Sequence, residues 1–262
     1  MIKQTQEAHN FVVIVPAAGV GKRMLASCPK QYLEINKQSI LTHTINRLLS
    51  HPKITKVIIV LNDEDEYFAQ TELAENTNIV RISGGKERVD SVLNGLCAID
   101  IEKYPWVLVH DAARPCVTHH DIDTLIEQCI TNNCGGLLAA QVVDTMKQNS
   151  INHSNTVAST IERSNLWHAF TPQMYKTVEL KQAIKQALEQ NVNITDESSA
   201  IELAGLPSLL VLGRRDNIKI TRPEDLALAT FYLKQQELEQ QKLYQEKLNQ
   251  HIENNKQDKI CE

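Results

Sequence analysis

The sequence predicts an α/β fold, a mostly parallel, twisted sheet flanked by helices. Short apolar, β-branched runs alternate along the chain with longer segments of helical period. The loops richest in small residues and charge follow the apolar runs, so in a parallel sheet they meet at one edge, beyond the C-terminal strand ends. A chain of 262 residues that is 42% hydrophobic can also bury a sizeable core, in one large domain or two small ones.

The elements follow in order. Residues 11–15, Phe-Val-Val-Ile-Val, read as a buried strand. A helix over 39–50 carries Leu41, Ile45, Leu48 and Leu49 on one face. Strands at 57–61, 79–82, 106–110 and 135–142 alternate with helices near 64–75, 87–98 and 121–131. The stretch 143–173 breaks this rhythm. Its strand-like runs 143–148 and 156–162 flank a polar turn and predict a hairpin with no helix to cover it. An isolated hairpin is marginal in water, so this one pairs either with another subunit or with its own domain. Helices are predicted at 177–189, 196–204 and 223–233, the last opened by Thr221-x-x-Glu224 with a proline in its first turn. Lys219 alternates with Ile218 and Ile220 as on a strand, which turns its side chain away from the apolar face. Beyond Leu233 the chain is polar, and Leu238, Leu243, Leu248 and Ile252 hold no heptad, so a solvated helix fraying into disorder is expected. The organisation predicted is one domain over 1–233, a protruding arm at about 143–173 and a polar tail over 234–262.

Composition narrows the partners. A net charge of -5 and a pI near 6.0 argue against nucleic-acid binding, which favours a basic face. The apolar run after the polar start is too short for a membrane span or a signal peptide. The six cysteines form no C-x-x-C pair and read as reduced thiols, so a cytoplasmic location is expected. Cys28 reads either as a reactive thiol or as a small filler. His110 and His119-His120 have no companions at ligand spacing, so zinc is not expected.

The stretch Pro16-Ala17-Ala18-Gly19-Val20-Gly21-Lys22-Arg23-Met24 follows the first strand, and Pro29-Lys30-Gln31-Tyr32 comes soon after. Ala17, Ala18, Gly19 and Gly21 let the backbone approach a ligand and aim N–H groups at it. Lys22, Arg23 and Lys30 add fixed positive charge. Such a loop suits a nucleoside triphosphate whose pyrophosphate must leave. A P-loop is excluded, because Pro16 stands where its first glycine belongs and Arg23 replaces its Ser/Thr. A dinucleotide fingerprint fails at Met24, the place of its third glycine. An ordinary tight turn would explain the glycines but not the cations.

Further motifs follow in order: Gly84-Gly85-Lys86-Glu87-Arg88-Val89-Asp90-Ser91-Val92, Val109-His110-Asp111-Ala112-Ala113-Arg114-Pro115, Leu166-Trp167-His168-Ala169-Phe170-Thr171-Pro172-Gln173, Thr195-Asp196-Glu197-Ser198-Ser199-Ala200, and Asp216-Asn217-Ile218-Lys219-Ile220-Thr221-Arg222-Pro223-Glu224-Asp225. Their order and spacing over about 11–233 resemble the 2-C-methyl-D-erythritol 4-phosphate cytidylyltransferases. That resemblance implies a Rossmann-like, GT-A-like nucleotidyltransferase fold and a homodimer whose arm crosses to the partner. It implies CTP and a polyol phosphate as substrates and Mg²⁺, or another divalent cation, held at Asp111. Arg23 and Lys30 carry over as stabilisers of the triphosphate in the transition state. Pro16, Ala17, Ala18, Gly19, Gly21, Gly85, Ser91 and Ala112 carry over to the nucleotide. Arg163 and Lys219 carry over as the residues that position the sugar phosphate, with Arg114, Thr171 and Thr195 as further substrate contacts.

Several residues keep two readings. Thr195 is a substrate contact or a helix N-cap. Asp216 is a second carboxylate near the metal or a turn residue. Gly84-Gly85 holds the base or merely turns the chain. Lys86 stands where many relatives are acidic or polar, which leaves its side chain without a role. A ribitol 5-phosphate cytidylyltransferase is the nearest alternative, with the Arg163 and Leu166-Trp167-His168 region leaning toward the erythritol enzyme. A CTP-sensing module without catalysis is the non-enzymatic alternative.

Overall fold

Alternation along the first strand sets up the whole molecule. Val13 and Val15 point into one core, Val12 and Ile14 into another, and all four are buried. A strand buried on both faces must be covered by helices on both, as in a parallel sheet. The structure, a computed structural model, describes residues 10–19, 28–151, 153 and 155–258, with side chains in the last helix described through residue 246.

Strand β1 (Phe11–Pro16) is followed by a small hairpin, β2 (Glu34–Ile35) and β3 (Gln38–Ser39). Helix α1 (Ile40–Leu49) leads to β4 (Ile54–Leu61) and β5 (Ile79–Ser83). Helix α2 (Arg88–Cys97), β6 (Trp106–Val109), α3 (His119–Asn132) and β7 (Gly136–Gln141) continue the alternation. Among the described residues, strands β8 (Met146–Asn149) and β9 (Val157–Ile161) pair only with each other. Then come β10 (Trp167–Lys176), α4 (Thr177–Glu189), α5 (Glu197–Leu203), β11 (Leu209–Leu212) and α6 (Pro223–Asp258). The seven-stranded sheet runs β11-β7-β10-β6-β1-β4-β5, and β10 alone is antiparallel to its neighbours. Helices α1 and α3 cover the Val13 face, and α2, α4 and α5 the Val12 face. A third, smaller core under the start of α6 joins Ile35, Ile40, Cys116, Ile220, Ala229 and Leu233. Among the described residues, no helix is long and apolar enough to cross a membrane.

Four expectations are corrected. The helix expected near 64–75 is two short 3-10 turns, Phe68–Gln70 and Glu72–Glu75, separated by an extended Thr71 whose hydroxyl donates to the Phe68 carbonyl at 2.7 Å. The separate hairpin is narrower than 143–173, because Trp167–Lys176 enters the main sheet as β10. Lys219 lies on a segment without a strand ladder, although Ile220 N–H bonds the Ala113 carbonyl at 2.9 Å. The start of α6 is closed by Asp225, not Glu224: its Oδ2 accepts the Thr221 and Arg222 N–H groups at 2.8 Å each. The helix at 223–233 and the solvated helix expected beyond it are one, which runs unbroken to Asp258 with residues 237–246 exposed.

The turn after β6 is fixed by a hydrogen-bonded chain through the fully buried His110. Its Nε2 donates to the Arg114 carbonyl at 3.0 Å, so in the neutral ring Nδ1 accepts from the Thr171 hydroxyl, also at 3.0 Å. Thr171 Oγ1 accepts the Asp111 N–H at 3.0 Å. Burial drives the imidazole pKa from 6.5 to about 4. The unfolded chain therefore takes up this proton first as pH falls. Stability from the neutral ring is complete above pH 6.5 and is lost toward about pH 4, on the order of 3 kcal/mol in all. Urea unfolding at about pH 7 and about pH 5 should show the loss, and His110→Gln should lack that part of the slope.

Candidate active site

Two cavities open at the C-terminal edge of the parallel strands and share a wall. One, of about 280 Å³, is lined by the loop after β1, the turn before α2 and the loop after β6. The other, of about 190 Å³, lies toward β10 and the start of α5. Arg88, Asp111 and Lys219 line both.

The larger cavity is shaped mostly by backbone. Ala17 N–H continues the strand ladder to the Val60 carbonyl at 2.8 Å, and the buried Gln31 amide donates to the Ala17 carbonyl at 2.8 Å. The glutamine thus clips the small-residue loop to the short helical turn Lys30–Tyr32. That turn brings the Lys30 ammonium to the Ile220 carbonyl at 3.2 Å. On the opposite wall, Gly85 N–H donates to Ser91 Oγ at 3.1 Å, and the serine hydroxyl donates to the Glu87 carbonyl at 3.3 Å. A Cβ on Gly85 would collide with the Cβ of Asp90, which closes the α2 capping box. The close approach of turn and helix therefore requires glycine there.

Asp111 is the electrostatic centre. Lys219 Nζ lies 2.8 Å from its Oδ2, Arg88 Nη2 lies 3.2 Å from Oδ1, and Arg114 Nε stands at 3.6 Å. Burial alone pushes the carboxyl up, but Arg88 and Lys219, with Arg114 behind them, outweigh it and hold it well below the usual carboxylate range. Arg88 also forks onto the buried Glu197, at 2.7 Å and 3.2 Å. Burial works against its charge, yet Glu197 and Asp111 hold the guanidinium above its ordinary pKa. Arg114 donates to the Asn217 carbonyl at 2.7 Å and stacks 5.1 Å from the Phe170 ring centre.

Pro16, Ala17, Ala18, Gly19, Lys30, Gly85, Ser91, Asp111, Ala112 and Lys219 all line the larger cavity. Lys86 lines it too. Arg114, Thr171 and Thr195 line the smaller one. Gly21 and Arg23 lie outside the described residues. Arg163 lines neither cavity of its own chain: it is exposed, and its guanidinium donates to the Val143 carbonyl at the base of the hairpin. Thr195 does not cap α5. Asp196 does, accepting the Ser199 N–H at 3.0 Å. Asp216 lines neither cavity and is held by Arg214 at 2.7 Å, so it is no second carboxylate of the site. Arg88, Glu197, Gln173 and Asn217 were not singled out from sequence. Each sits inside a quoted motif, but their pairings join distant segments and leave no local spacing to read.

Three cations gathered on one carboxylate, at the seam of a backbone-lined cavity and a polar one, suit the joining of two anions, and this is the arrangement of a nucleotidyltransferase. The sequence profile of the 2-C-methyl-D-erythritol 4-phosphate cytidylyltransferases matches residues 11–235. A relative of that name from Colwellia psychrerythraea is 63% identical over 232 residues, covering 86% of this chain and 96% of its own. One from Vibrio vulnificus is 52% identical over 229 residues, covering 87% and 96%. The crystal structure of the Francisella tularensis 2-C-methyl-D-erythritol 4-phosphate cytidylyltransferase superposes with a TM-score of 0.73 at 35% identity, covering 85% of this chain and 99% of that one. The chain belongs to the 2-C-methyl-D-erythritol 4-phosphate cytidylyltransferase family, transferases of isoprenoid-precursor synthesis.

The crowding at Gly85 has a measurable consequence. Gly85→Ala should push the start of α2 away from the cavity and weaken CTP binding about tenfold or more, a change of roughly 1.4 kcal/mol read by calorimetric titration.

Proposed function

We propose that the chain transfers a cytidylyl group from CTP to 2-C-methyl-D-erythritol 4-phosphate, releasing pyrophosphate and forming 4-diphosphocytidyl-2-C-methyl-D-erythritol. Family membership supports the reaction, and the shared wall of Arg88, Asp111 and Lys219 carries the mechanism. CTP occupies the larger cavity, with its phosphates along 16–19 and Lys30 and its base and ribose toward Gly85 and Ser91. Arg23 joins Lys30 at the triphosphate. The acceptor phosphate enters the smaller cavity, toward Lys219, Arg114, Thr171 and Thr195.

A phosphate monoester loses its second proton near pH 6, so at neutral pH the attacking oxygen carries charge already and needs no general base. It forms a bond to the α-phosphorus as the bond to the β-phosphate oxygen breaks, and pyrophosphate leaves with that electron pair. The barrier is repulsion between anions and charge growing on the leaving group. Lys30 and Lys219 act on these two sides, and the fixed walls hold the reactants in line. Asp111, the carboxylate that lines both cavities, is the residue that would hold a divalent cation such as Mg²⁺ in place of its present cationic partners, with phosphates and water supplying the other oxygens. When bound, that ion would supply charge neutralisation at the phosphates.

Arg163 sits beside a hairpin that, among the described residues, pairs with no other strand of its own chain. The hairpin crosses to a second copy in a homodimer, and there Arg163 serves the partner's acceptor site. Val143 and Val157, exposed at 51% and 64%, are apolar surface such a contact would cover.

Pyrophosphate release from CTP and Mg²⁺ should require the erythritol phosphate; release only with ribitol 5-phosphate would move the acceptor, and silence with both would favour a binding module. Lys30→Ala should cut kcat at least about a hundredfold, the scale of one lost charge stabiliser, without unfolding the chain. Mixed dimers of Arg163→Ala and Lys30→Ala subunits should recover activity if the arm crosses. No recovery in verified mixed dimers would place Arg163 in its own subunit's site or in none.

A further inference from the structure

We propose that Glu197 is a positioning residue for the transfer step, acting through Arg88; this rests on the reaction proposed above. Glu197 is 2% exposed and lines neither of the two cavities. It opens α5, whose start is itself fixed from the central sheet. The buried Gln173 on β10 donates to Asp196 Oδ2 at 2.8 Å and accepts the Ser198 N–H at 2.8 Å. Glu197 therefore presents both carboxylate oxygens from a rigid place, and Arg88 meets them through Nη1 at 2.7 Å and Nη2 at 3.2 Å. The remaining reach of Arg88, through Nε and Nη2, falls on Asp111 Oδ1 alone, at 3.3 Å and 3.2 Å. Asp111 Oδ2 faces Lys219 at 2.8 Å, with Arg114 Nε behind it at 3.6 Å.

This division of labour matters for the seam between the cavities. Without the Glu197 carboxylate, Arg88 would turn its fork onto both oxygens of Asp111, the geometry that guanidinium and carboxylate prefer. Asp111 would then be drawn from Lys219 and from the cavity mouth, and the acceptor side would lose its alignment with the nucleotide side. A buried ion pair is a weak source of net stability compared with apolar packing, so orientation is the role this one is fitted for. Glu197 holds Arg88 at a distance that leaves Asp111 facing both cavities.

The test compares Glu197→Gln, which keeps the shape and removes the charge, with the wild type and with two further variants, Arg88→Met and Arg88→Met/Glu197→Met. Pyrophosphate release and CTP binding by calorimetry are measured on each, with unfolding checked in parallel. Glu197→Gln should lower kcat roughly 10- to 100-fold, the range for partners that orient a working group, while CTP affinity changes by less than about twofold. The double variant should match Arg88→Met in kcat, because a residue that works through Arg88 has nothing left to lose once it is gone. If Glu197→Gln does not fold, the double variant set against Arg88→Met still overturns the inference should its loss of kcat be the larger. A Glu197→Gln kcat within about twofold of the wild type overturns the inference. So do losses that multiply in the double variant, or a loss of kcat matched by equal losses of CTP affinity and folded protein. A wild type that is silent with both polyol phosphates overturns the reaction itself, and the inference with it, and is told apart because the unmutated chain fails.

Discussion

One buried carboxylate organises the molecule. Taking an ionised aspartate out of water costs several kcal/mol unless opposite charges and hydrogen bonds offset it. Asp111 is offset by a guanidinium from the start of α2, a second from its own turn and an ammonium from the segment before α6. Its N–H is bound by Thr171 of β10. Four separated stretches of chain must therefore arrive together before the aspartate is tolerable, and all four contribute to the walls of the two cavities. The electrostatics that make the site expensive also hold it in one arrangement. That ordering in advance of the ligand is what lets fixed charges stabilise a transition state without rearranging first.

Much of the fold was legible because its core strands follow a simple rule. Strands covered on both faces read as continuous apolar runs, and β1, β4, β6 and β7 all do. Strand β10 did not read as one. Pro172 interrupts it, its register with β7 shifts between Ala169 and Gln173, and its first half is exposed or half-buried, so period two is blurred. The 3-10 turns at 68–75 carried enough helix formers to pass for a helix, and only the Asp65 and Thr71 side-chain bonds to the backbone give them away. The outer part of α6 reads as a solvated helix, but with no apolar stripe its continuity with the packed part is unmarked.

The candidate site was legible in its motifs rather than in its pairings. Loop residues such as Gly85 and Asp111 stand out, since small side chains and charge just after strands fall at the edge where ligands bind. Arg88 and Glu197 look from sequence like ordinary charges at helix starts, and only the packing of α2 against α4, which in turn packs α5, brings them together, 109 residues apart. Asp216 keeps the turn reading of its two: it sits in a motif beside Lys219, but its carboxylate turns to Arg214 and Gln236.

The place of β10 in the sheet also sets an order of events for a chain leaving the ribosome. Strands β5, β4, β1 and β6 are neighbours and all lie within residues 11–109, so half of the sheet can assemble early. Strand β7 has no such neighbour. It joins the sheet only through β10, and β11 joins only through β7. Until Lys176 has been synthesised, the apolar Leu137, Leu138, Ala139 and Ala140 have no strand beside them. Closing that gap brings in segments made later, which is slow compared with local pairing. The nascent chain is thus most exposed to aggregation between the completion of β7 and the arrival of β10.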